Sequence, residues 1–275
     1  MTLILNSNTQ QRFEHYTHFL PQSLLIIGER GMGAATLART VAHTHSPHPY
    51  VVQPQPTTKT SSTLSISIDQ IRDVLMTARS AAQSTRIILI EDMHMMTTQA
   101  QNAFLKLLEE PPRNTHFILT AHSDAPILLT ITSRTQLWHL TKLGADDMQR
   151  LSRQYPIDDQ TARTQALFIA NGKPAEYVRI ANDPQRIMTL TPFIHDAKLL
   201  LQGEIYQKIT TIARYKENRQ DALLVTEYML RLLRMSLQGA KESETHRKKL
   251  EHILRAYERL RANGNVRLVL LDIVL

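Results

Sequence analysis

The chain has 275 residues, of which 42% are hydrophobic, with no cysteine and a formal net charge of +7. The missing cysteines exclude disulfides, thiolate zinc sites and a cysteine nucleophile. No apolar run reaches the roughly eighteen residues that a membrane span needs, and the N-terminus lacks the basic-then-apolar layout of a signal peptide, so we expect a folded cytoplasmic protein that makes no membrane contact. The basic excess lies in residues 141–275, which fits either an acidic or nucleic-acid partner or a solvated helical surface.

The first recognisable elements are a strand, a glycine-rich loop and a helix. Residues 24–27 are all apolar and lead directly into the loop, and residues 36–42 continue with helical spacing of apolar positions. Strand, loop and helix in this order are the context that a phosphate-binding P-loop requires.

The loop has the glycine spacing of the motif G-x-x-x-x-G-K-[ST] but lacks its two reactive side chains. Gly28 and Gly33 occupy the two glycine positions, and Gly31 lies between them. Ala34 and Ala35 stand where the lysine and the hydroxyl residue belong. Because a methyl group can neither reach phosphate oxygens nor hold Mg²⁺, the loop excludes ordinary ATP hydrolysis more firmly than it excludes nucleotide binding.

A segment rich in Pro, Thr, Ser and His follows, over residues 43–65, and its composition predicts an irregular surface loop. His43, His45 and His48 lie within it without fixed spacing or carboxylate support. A solvated loop is therefore favoured over a metal site, and we predict no bound metal. Residues 68–82 have helical spacing.

The second strand, residues 87–90, ends in Glu91 and Asp92. This is where the acidic pair of a P-loop ATPase lies, at the carboxyl edge of the sheet beside the loop. A working pair is Asp followed by Glu, and here the order is reversed. Since a misplacement of a catalytic group by about 1 Å can cost about a hundredfold in rate, the reversed order predicts weak catalysis of ATP hydrolysis. Taken alone, the two acids would be read as solvent-facing residues at a strand end.

The rest of the first half continues the alternation of strands and helices. A helix capped by Thr97 or Thr98 ends at Pro111-Pro112, strands are predicted at 117–120 and 137–140, and a short helix or turn at 127–131. Such alternation predicts a parallel sheet with helices on both faces.

After residue 140 the strand patterns end and the chain becomes helical. The predicted domains are an α/β domain over 1–140, a small helical lid over 141–188 and an all-α domain over 189–275. The predicted helices are 146–154, 158–171, one from Pro174, then, after a linker over 182–192, 196–215, 220–238, 242–263 and one from 266.

Residues 101–112 read Gln-Asn-Ala-Phe-Leu-Lys-Leu-Leu-Glu-Glu-Pro-Pro. This run resembles the clamp-loader branch of the AAA+ ATPases, whose bacterial members carry a run close to Asn-Ala-Leu-Leu-Lys-Leu-Glu-Glu-Pro-Pro after the acidic pair. Residues 66–72, 117–120 and 133–135 agree in order, with Ser-Arg-Thr where the family usually has Ser-Arg-Cys. The resemblance is dense over 24–140 and implies an AAA+ α/β module, a helical lid and a C-terminal collar domain for oligomerisation.

The resemblance also implies roles for single residues. Arg134 matches the arginine finger that reaches the ATP site of a neighbouring subunit, a contribution of about 10³- to 10⁵-fold in rate. Thr120 matches the sensor 1 position, and Lys173 lies loosely in the sensor 2 region. Without the loop lysine and hydroxyl, we expect neither to contact nucleotide. The four-cysteine zinc module of many relatives is excluded by the composition.

The resemblance implies three candidate kinds of subunit of a bacterial DNA polymerase III clamp loader: an ATP-hydrolysing motor, a subunit that opens the clamp, and one that keeps the arginine without hydrolysing ATP. The altered loop together with Arg134 favours the third kind. The resemblance then implies gamma/tau-type motor and delta-type partners, with the sliding clamp and primed DNA reached through the complex. ATP and Mg²⁺ would be bound by the neighbouring subunit, and this subunit would need no cofactor.

Two alternatives stay open on the sequence. One is a nucleotide-binding or motor-type AAA+ ATPase that uses Arg30 or Arg39 in place of the missing lysine. The other is a DNA-binding scaffold that reuses the fold, because a fold by itself does not fix a function.

Overall fold

A computed structural model describes residues 3–57, 64–79, 85–122, 127–183, 185–238 and 244–274. The chain divides into two compact units, residues 1–183 and 184–275. The first unit is an α/β structure and the second is helical throughout its described residues. The three-part boundaries at 140/141 and 188/189 stay a prediction.

The first unit contains seven strands and eight α-helices among its described residues. The strands are β1 Ser23–Gly28, β2 Tyr50–Val52, β3 Gln55–Pro56, β4 Leu64–Ser65, β5 Arg86–Ile90, β6 Thr115–His122 and β7 Gln136–His139. The helices are α1 Ser7–His18, α2 Ala34–His45, α3 Ile68–Arg79, α4 Thr98–Glu109, α5 Leu129–Thr132, α6 Ala145–Gln154, α7 Gln160–Ala170 and α8 Pro174–Asn182. A 3₁₀ turn at Met93–Met95 follows β5.

Five of the strands form one parallel sheet in the order β2-β5-β6-β1-β7. All six residues of β1 are buried, and successive side chains enter different cores. Leu25 and Ile27 pack in the core that contains α3 and α4, whereas Leu24 and Ile26 pack in the core that contains α1 and α2. This is the two-fold alternation of a strand with helices on both of its faces, and the predicted parallel sheet covered on both faces is confirmed.

The prediction of an irregular loop over residues 43–65 is wrong in part. Helix α2 continues to His45, β2 pairs in parallel with β5, and β3 and β4 form an antiparallel pair. Strand β2 is a three-residue edge strand with one buried residue, Val52, so it lacks the apolar run that marks a central strand. Residues 58–63 of the predicted loop lie outside the described residues.

Helix α1 has no counterpart in the prediction. Its sequence is largely polar and only Thr9 and Tyr16 are buried, so it shows no continuous apolar stripe. The Asn6 side chain caps it by accepting a hydrogen bond from the Thr9 N–H at 2.8 Å.

The second unit contains α9 Gln185–Gln202, α10 Ile205–Tyr215, α11 Arg219–Gln238, α12 Glu244–Arg261 and α13 Val266–Val274. The predicted linker over 182–192 is wrong, because α9 runs through Pro192. Ile187 on one side of this proline and Leu200 on the other are buried, and their packing offsets the backbone hydrogen bond that proline cannot donate. No helix in the described part of the chain is long and apolar enough to cross a membrane.

The single helix predicted over 196–215 is also wrong, because it is broken at Gly203. A Cβ at this position would lie 2.6 Å from the Leu199 carbonyl oxygen, so the break requires glycine. Helix α10 then starts with a capping box in which the Gln207 side chain accepts from the Glu204 N–H at 3.1 Å.

Candidate functional site

The glycine loop connects β1 to α2 and has the backbone of a P-loop-like turn. Gly31 and Gly33 have φ values of +92° and +90°, in the left-handed region that favours glycine. A Cβ at Gly31 would lie 3.0 Å from the Cβ of Glu176. Ala34 and Ala35 are the first two residues of α2, so the positions of the missing lysine and hydroxyl are occupied by methyl groups.

The first turn of α8 packs directly on the loop. The Glu176 N–H donates a hydrogen bond to the Gly31 carbonyl oxygen at 3.1 Å. Lys173, immediately before α8, places Nζ 3.1 Å from Glu29 Oε2, and Lys142 Nζ lies 2.9 Å from Glu29 Oε1. The loop is therefore tied to the residues predicted to form the lid by one backbone hydrogen bond and two ion pairs.

The Glu29 carboxylate is stabilised in its charged form by these lysines. Partial burial by itself would raise the pKa of Glu29, but the hydrogen bonds from Lys142 and Lys173 outweigh it and lower the pKa below its ordinary value. The side chain of Lys173 is only 12% exposed. The lysine of the predicted sensor 2 region is thus paired with a carboxylate from the loop itself.

Glu91, the first of the two predicted acidic residues, is buried, and both of its carboxylate oxygens accept hydrogen bonds. Arg39 donates from Nε to Glu91 Oε1 at 2.5 Å and from its terminal NH2 nitrogen to Oε2 at 2.7 Å, and Gln53 Nε2 donates to Oε2 at 2.8 Å. The hydrogen bonds to Glu91 raise the pKa of Arg39. Arg39, one of the two arginines that could replace the missing lysine, is therefore held in a bidentate pair with Glu91. Glu91 is therefore not a solvent-facing residue at a strand end.

Asp92 and Thr120 meet at the carboxyl edge of β5 and β6. Asp92 has φ 49° and ψ 47°, and its N–H donates to the buried Thr120 Oγ1 at 3.0 Å. Thr120, the predicted sensor 1 residue, therefore stabilises the left-handed turn that ends β5. The Asp92 carboxylate lies 3.6 Å from His122 Nε2.

Arg134 follows α5 and lies on the surface of the first unit. Its terminal nitrogen NH1 donates to the Thr130 carbonyl oxygen at 3.0 Å and to Ser133 Oγ at 3.4 Å. The other terminal nitrogen lies 3.1 Å from Oε1 of Glu109, the last residue of α4. The arginine side chain is 37% exposed and that of Glu109 is 50% exposed. The guanidinium is thus supported by its own chain while one side faces solvent.

A cavity of about 250 Å³ adjoins the loop. Its walls are mainly apolar and come from the N-terminal segment, α2, α6 and α8. The lining includes Leu5, Met32, Leu37, Leu151 and Val178.

The structure brings the glycine loop, Glu91, Asp92 and Thr120 to one edge of the sheet. Strand register explains this, because Gly28 pairs with His122 across β1 and β6, and Ile90 pairs with Leu119 across β5 and β6. Sequence reasoning missed the Arg39–Glu91 pair and the two lysines on Glu29. No local pattern marks contacts between residues this far apart in the chain.

Known proteins match parts of this chain. Residues 28–144 match a family model described as DNA polymerase III, delta subunit. The delta-prime subunit of DNA polymerase III from Haemophilus influenzae is 37% identical over 112 residues, which cover 40% of this chain and 34% of that protein. The delta-prime subunit from Yersinia pestis is 29% identical over 167 residues, which cover 58% of this chain and 47% of that protein. Over its matched segment this chain is delta-prime-like.

The resemblance to the clamp-loader family is thereby confirmed over the matched segment. The chain spans between a third and a half of the length of these two relatives. A gamma-subunit-related protein of DNA polymerase III from Thermotoga maritima is 19% identical, covers 96% of both chains and gives a TM-score of 0.51. At that identity the likeness concerns the fold alone, and it agrees with the predicted parallel α/β module followed by helices.

Proposed function

We propose that this protein is a delta-prime-like subunit of the DNA polymerase III clamp loader that does not hydrolyse ATP itself. In this proposal Arg134 acts in trans, against ATP bound by an adjacent gamma/tau-type motor subunit. A delta-type subunit, the sliding clamp and primed DNA are reached through the complex, and the site of action is cytoplasmic. The proposal rests on one combination: a loop with alanine at both reactive positions, and an exposed arginine in the Ser-Arg motif.

The absence of hydrolysis follows from the chemistry of the loop. Ala34 and Ala35 offer no cation for the β and γ oxygens and no hydroxyl for Mg²⁺. Lys173 and Arg39, two nearby cations, are paired with Glu29 and Glu91. ATP and Mg²⁺ are accordingly assigned to the neighbouring subunit.

The way Arg134 is held supports the proposed finger role. The guanidinium is supported by hydrogen bonds to Thr130 in the preceding helix α5 and to Ser133 at the end of that helix. The pair with Glu109 is half exposed, and exposed ion pairs contribute only about 0.2–1 kcal/mol. Phosphate oxygens accept from guanidinium in a bidentate geometry that is stronger than this pair, so a neighbouring nucleotide can displace Glu109 at small cost.

The test is a complex reconstituted from this chain with motor and delta-type subunits. Arg134→Ala should lower turnover at the adjoining motor site by about 10³-fold or more, the range of an arginine finger, and should leave assembly intact. The ATPase rate of the complex and its size-exclusion profile measure the two effects.

Arg72→Ala is the matched control. Arg72 is also a surface arginine paired with a carboxylate, Asp69, at 2.8 Å. The control complex should keep full ATPase activity. An Arg134→Ala complex that assembles and hydrolyses ATP at the normal rate would contradict the finger assignment.

A second candidate function is the binding of a nucleotide without turnover. The apolar cavity of about 250 Å³ beside the loop favours it. Calorimetric titration of ATP into the isolated chain tests it. Binding that is lost when Val178→Trp fills the cavity would support this function, and no heat of binding would exclude it.

A further inference from the structure

Three side chains with metal-binding atoms meet at the carboxyl edge of the sheet. Asp92 follows β5, His94 lies in the 3₁₀ turn Met93–Met95, and His122 is the last residue of β6. His122 pairs in register with Gly28, so the group lies where the glycine loop begins. In open parallel sheets this edge is where ligands bind.

The three side chains are close enough to share one ion. Asp92 Oδ1 lies 3.6 Å from His122 Nε2, and the rings of His94 and His122 have centroids 4.5 Å apart. One ligand atom from each residue lies within 4.8 Å of the other two. The side chains of Asp92 and His122 are 42% and 31% exposed, so an ion can enter from solvent.

The backbone holds the three residues in this arrangement. The left-handed conformation of Asp92 turns the chain sharply after β5 and brings His94 back towards the edge of the sheet. The hydrogen bond from the Asp92 N–H to Thr120 Oγ1 fixes this turn against β6. His122 lies two residues beyond Thr120 in β6, so the two residues are on the same face of the sheet.

We propose that Asp92, His94 and His122 bind one divalent transition-metal ion of the zinc class. Two imidazoles and one carboxylate are a ligand set that suits such ions, and three protein ligands leave a fourth position for water or another ligand. Bond lengths of about 2.0–2.2 Å place tetrahedral ligand atoms about 3.3 Å apart. On binding an ion, the most distant ligand atoms of the three side chains would therefore have to move closer together by about 1 Å or slightly more. This site departs from the sequence expectation that the chain holds no metal.

The ligand set separates this site from the Mg²⁺ site of a working P-loop. Magnesium takes oxygen ligands and keeps several waters, whereas imidazole selects zinc, copper, nickel or iron. A hydrogen-bonded Asp92–His122 pair would explain two of the three groups. A shared cation would also account for the approach of the His94 ring, whose centroid lies 4.5 Å from that of His122.

The test is a titration of the full chain, first stripped with a chelator, with Zn²⁺ by calorimetry and with Co²⁺ by visible absorption. The wild-type protein should bind one Zn²⁺, and Co²⁺ should give the intense visible bands of a four-coordinate site. His122→Asn and His94→Gln should each weaken binding by at least about tenfold, because even outer-sphere partners of metal ligands contribute about 10- to 100-fold in affinity.

Asp92→Asn tests the carboxylate without disturbing the turn, because asparagine also tolerates the left-handed conformation. It should weaken Zn²⁺ binding as the histidine variants do. The matched control is His43→Asn, at an exposed histidine of α2, which should bind Zn²⁺ as the wild type does. Equal affinity in the wild type and the His122, His94 and Asp92 variants, or a loss of binding in the His43 variant alone, would overturn the proposal.

Discussion

Charged side chains are engaged differently in two parts of the first unit. In the loop region, residues 28–35 with Glu91, both carboxylates are paired within the chain: Glu29 with two lysines and Glu91 with Arg39. At the arginine surface, formed by Arg134, Glu109 and Thr130, the guanidinium has one half-exposed acidic partner. The carboxylates of the loop region are thus held by internal pairs, whereas the arginine surface keeps the Arg134 guanidinium partly open to solvent.

The largest effect that would sharpen this comparison is expected from Arg134→Lys in the reconstituted complex. Lysine keeps the charge but loses the planar fork that matches phosphate, so ATPase activity should fall nearly as far as with Arg134→Ala. Steady-state ATPase assays of the two variant complexes side by side measure this. Wild-type activity in the lysine variant would mean that charge alone suffices, and the finger geometry would be wrong.

A smaller effect is expected from Glu91→Gln. This change removes the charge that accepts from Arg39 and Gln53 in a buried position, and should lower the free energy of unfolding by about 1–3 kcal/mol. Urea unfolding followed by the fluorescence of Trp138, the single and fully buried tryptophan, reports on the first unit.

Asp69→Asn is the control for this change. Asp69 pairs with Arg72 on the exposed surface, so its loss should change stability by less than about 0.5 kcal/mol. Equal unfolding midpoints for Glu91→Gln and the wild type would contradict the view that the loop region is held by its internal pairs.

Glu29→Gln should cost less than about 1 kcal/mol, because the Glu29 side chain is 45% exposed and its ion pairs are screened. The effect should depend on pH. Since the pKa of Glu29 is lowered in the folded protein, its stabilisation is present above the ordinary glutamate pKa of about 4.3 and is lost as the pH falls below it.

Urea unfolding of the wild type and Glu29→Gln at a series of pH values tests this. The two stabilities should differ near neutral pH and converge in acid. A difference that stays constant from neutral pH to acid would show that the carboxylate charge is not what ties the loop to Lys142 and Lys173.

The smallest effect is expected from restoring the loop chemistry with the double variant Ala34→Lys, Ala35→Thr. The isolated chain should still show no ATP turnover, because Glu91 stays bound to Arg39 and Lys173 to Glu29. A phosphate-release assay measures this, with the wild type as baseline. Turnover above that baseline would break the comparison and favour the motor-type alternative.

The sequence predicted the elements whose apolar patterns are long and regular. Strands β1 and β5 are nearly continuous apolar runs, β6 contains a shorter one, and α4 combines a clear stripe with a Thr97 cap and a proline stop. It did not predict β2, which buries one residue, or the continuation of α9 through Pro192, where packing outweighs local propensity.

The same distinction holds for the site. The loop glycines, Glu91 and Asp92 were predicted from motif position, and Thr120 and Arg134 from the family resemblance; their roles stay predictions. Their partners were not located. Arg39 meets Glu91 across 52 residues, and such a pair depends on the packing of α2 against the sheet rather than on any local pattern.

The left-handed backbone at Asp92 also limits how this acidic pair can change in evolution. Residues other than glycine, asparagine and aspartate cost about 1–2 kcal/mol in this conformation. A glutamate at position 92 would carry that strain, and a shorter aspartate at position 91 would draw back from the Arg39 fork. An exchange of the two residues to the order Asp-Glu is therefore opposed at both positions, so the reversed order is built into the packing of this sheet edge.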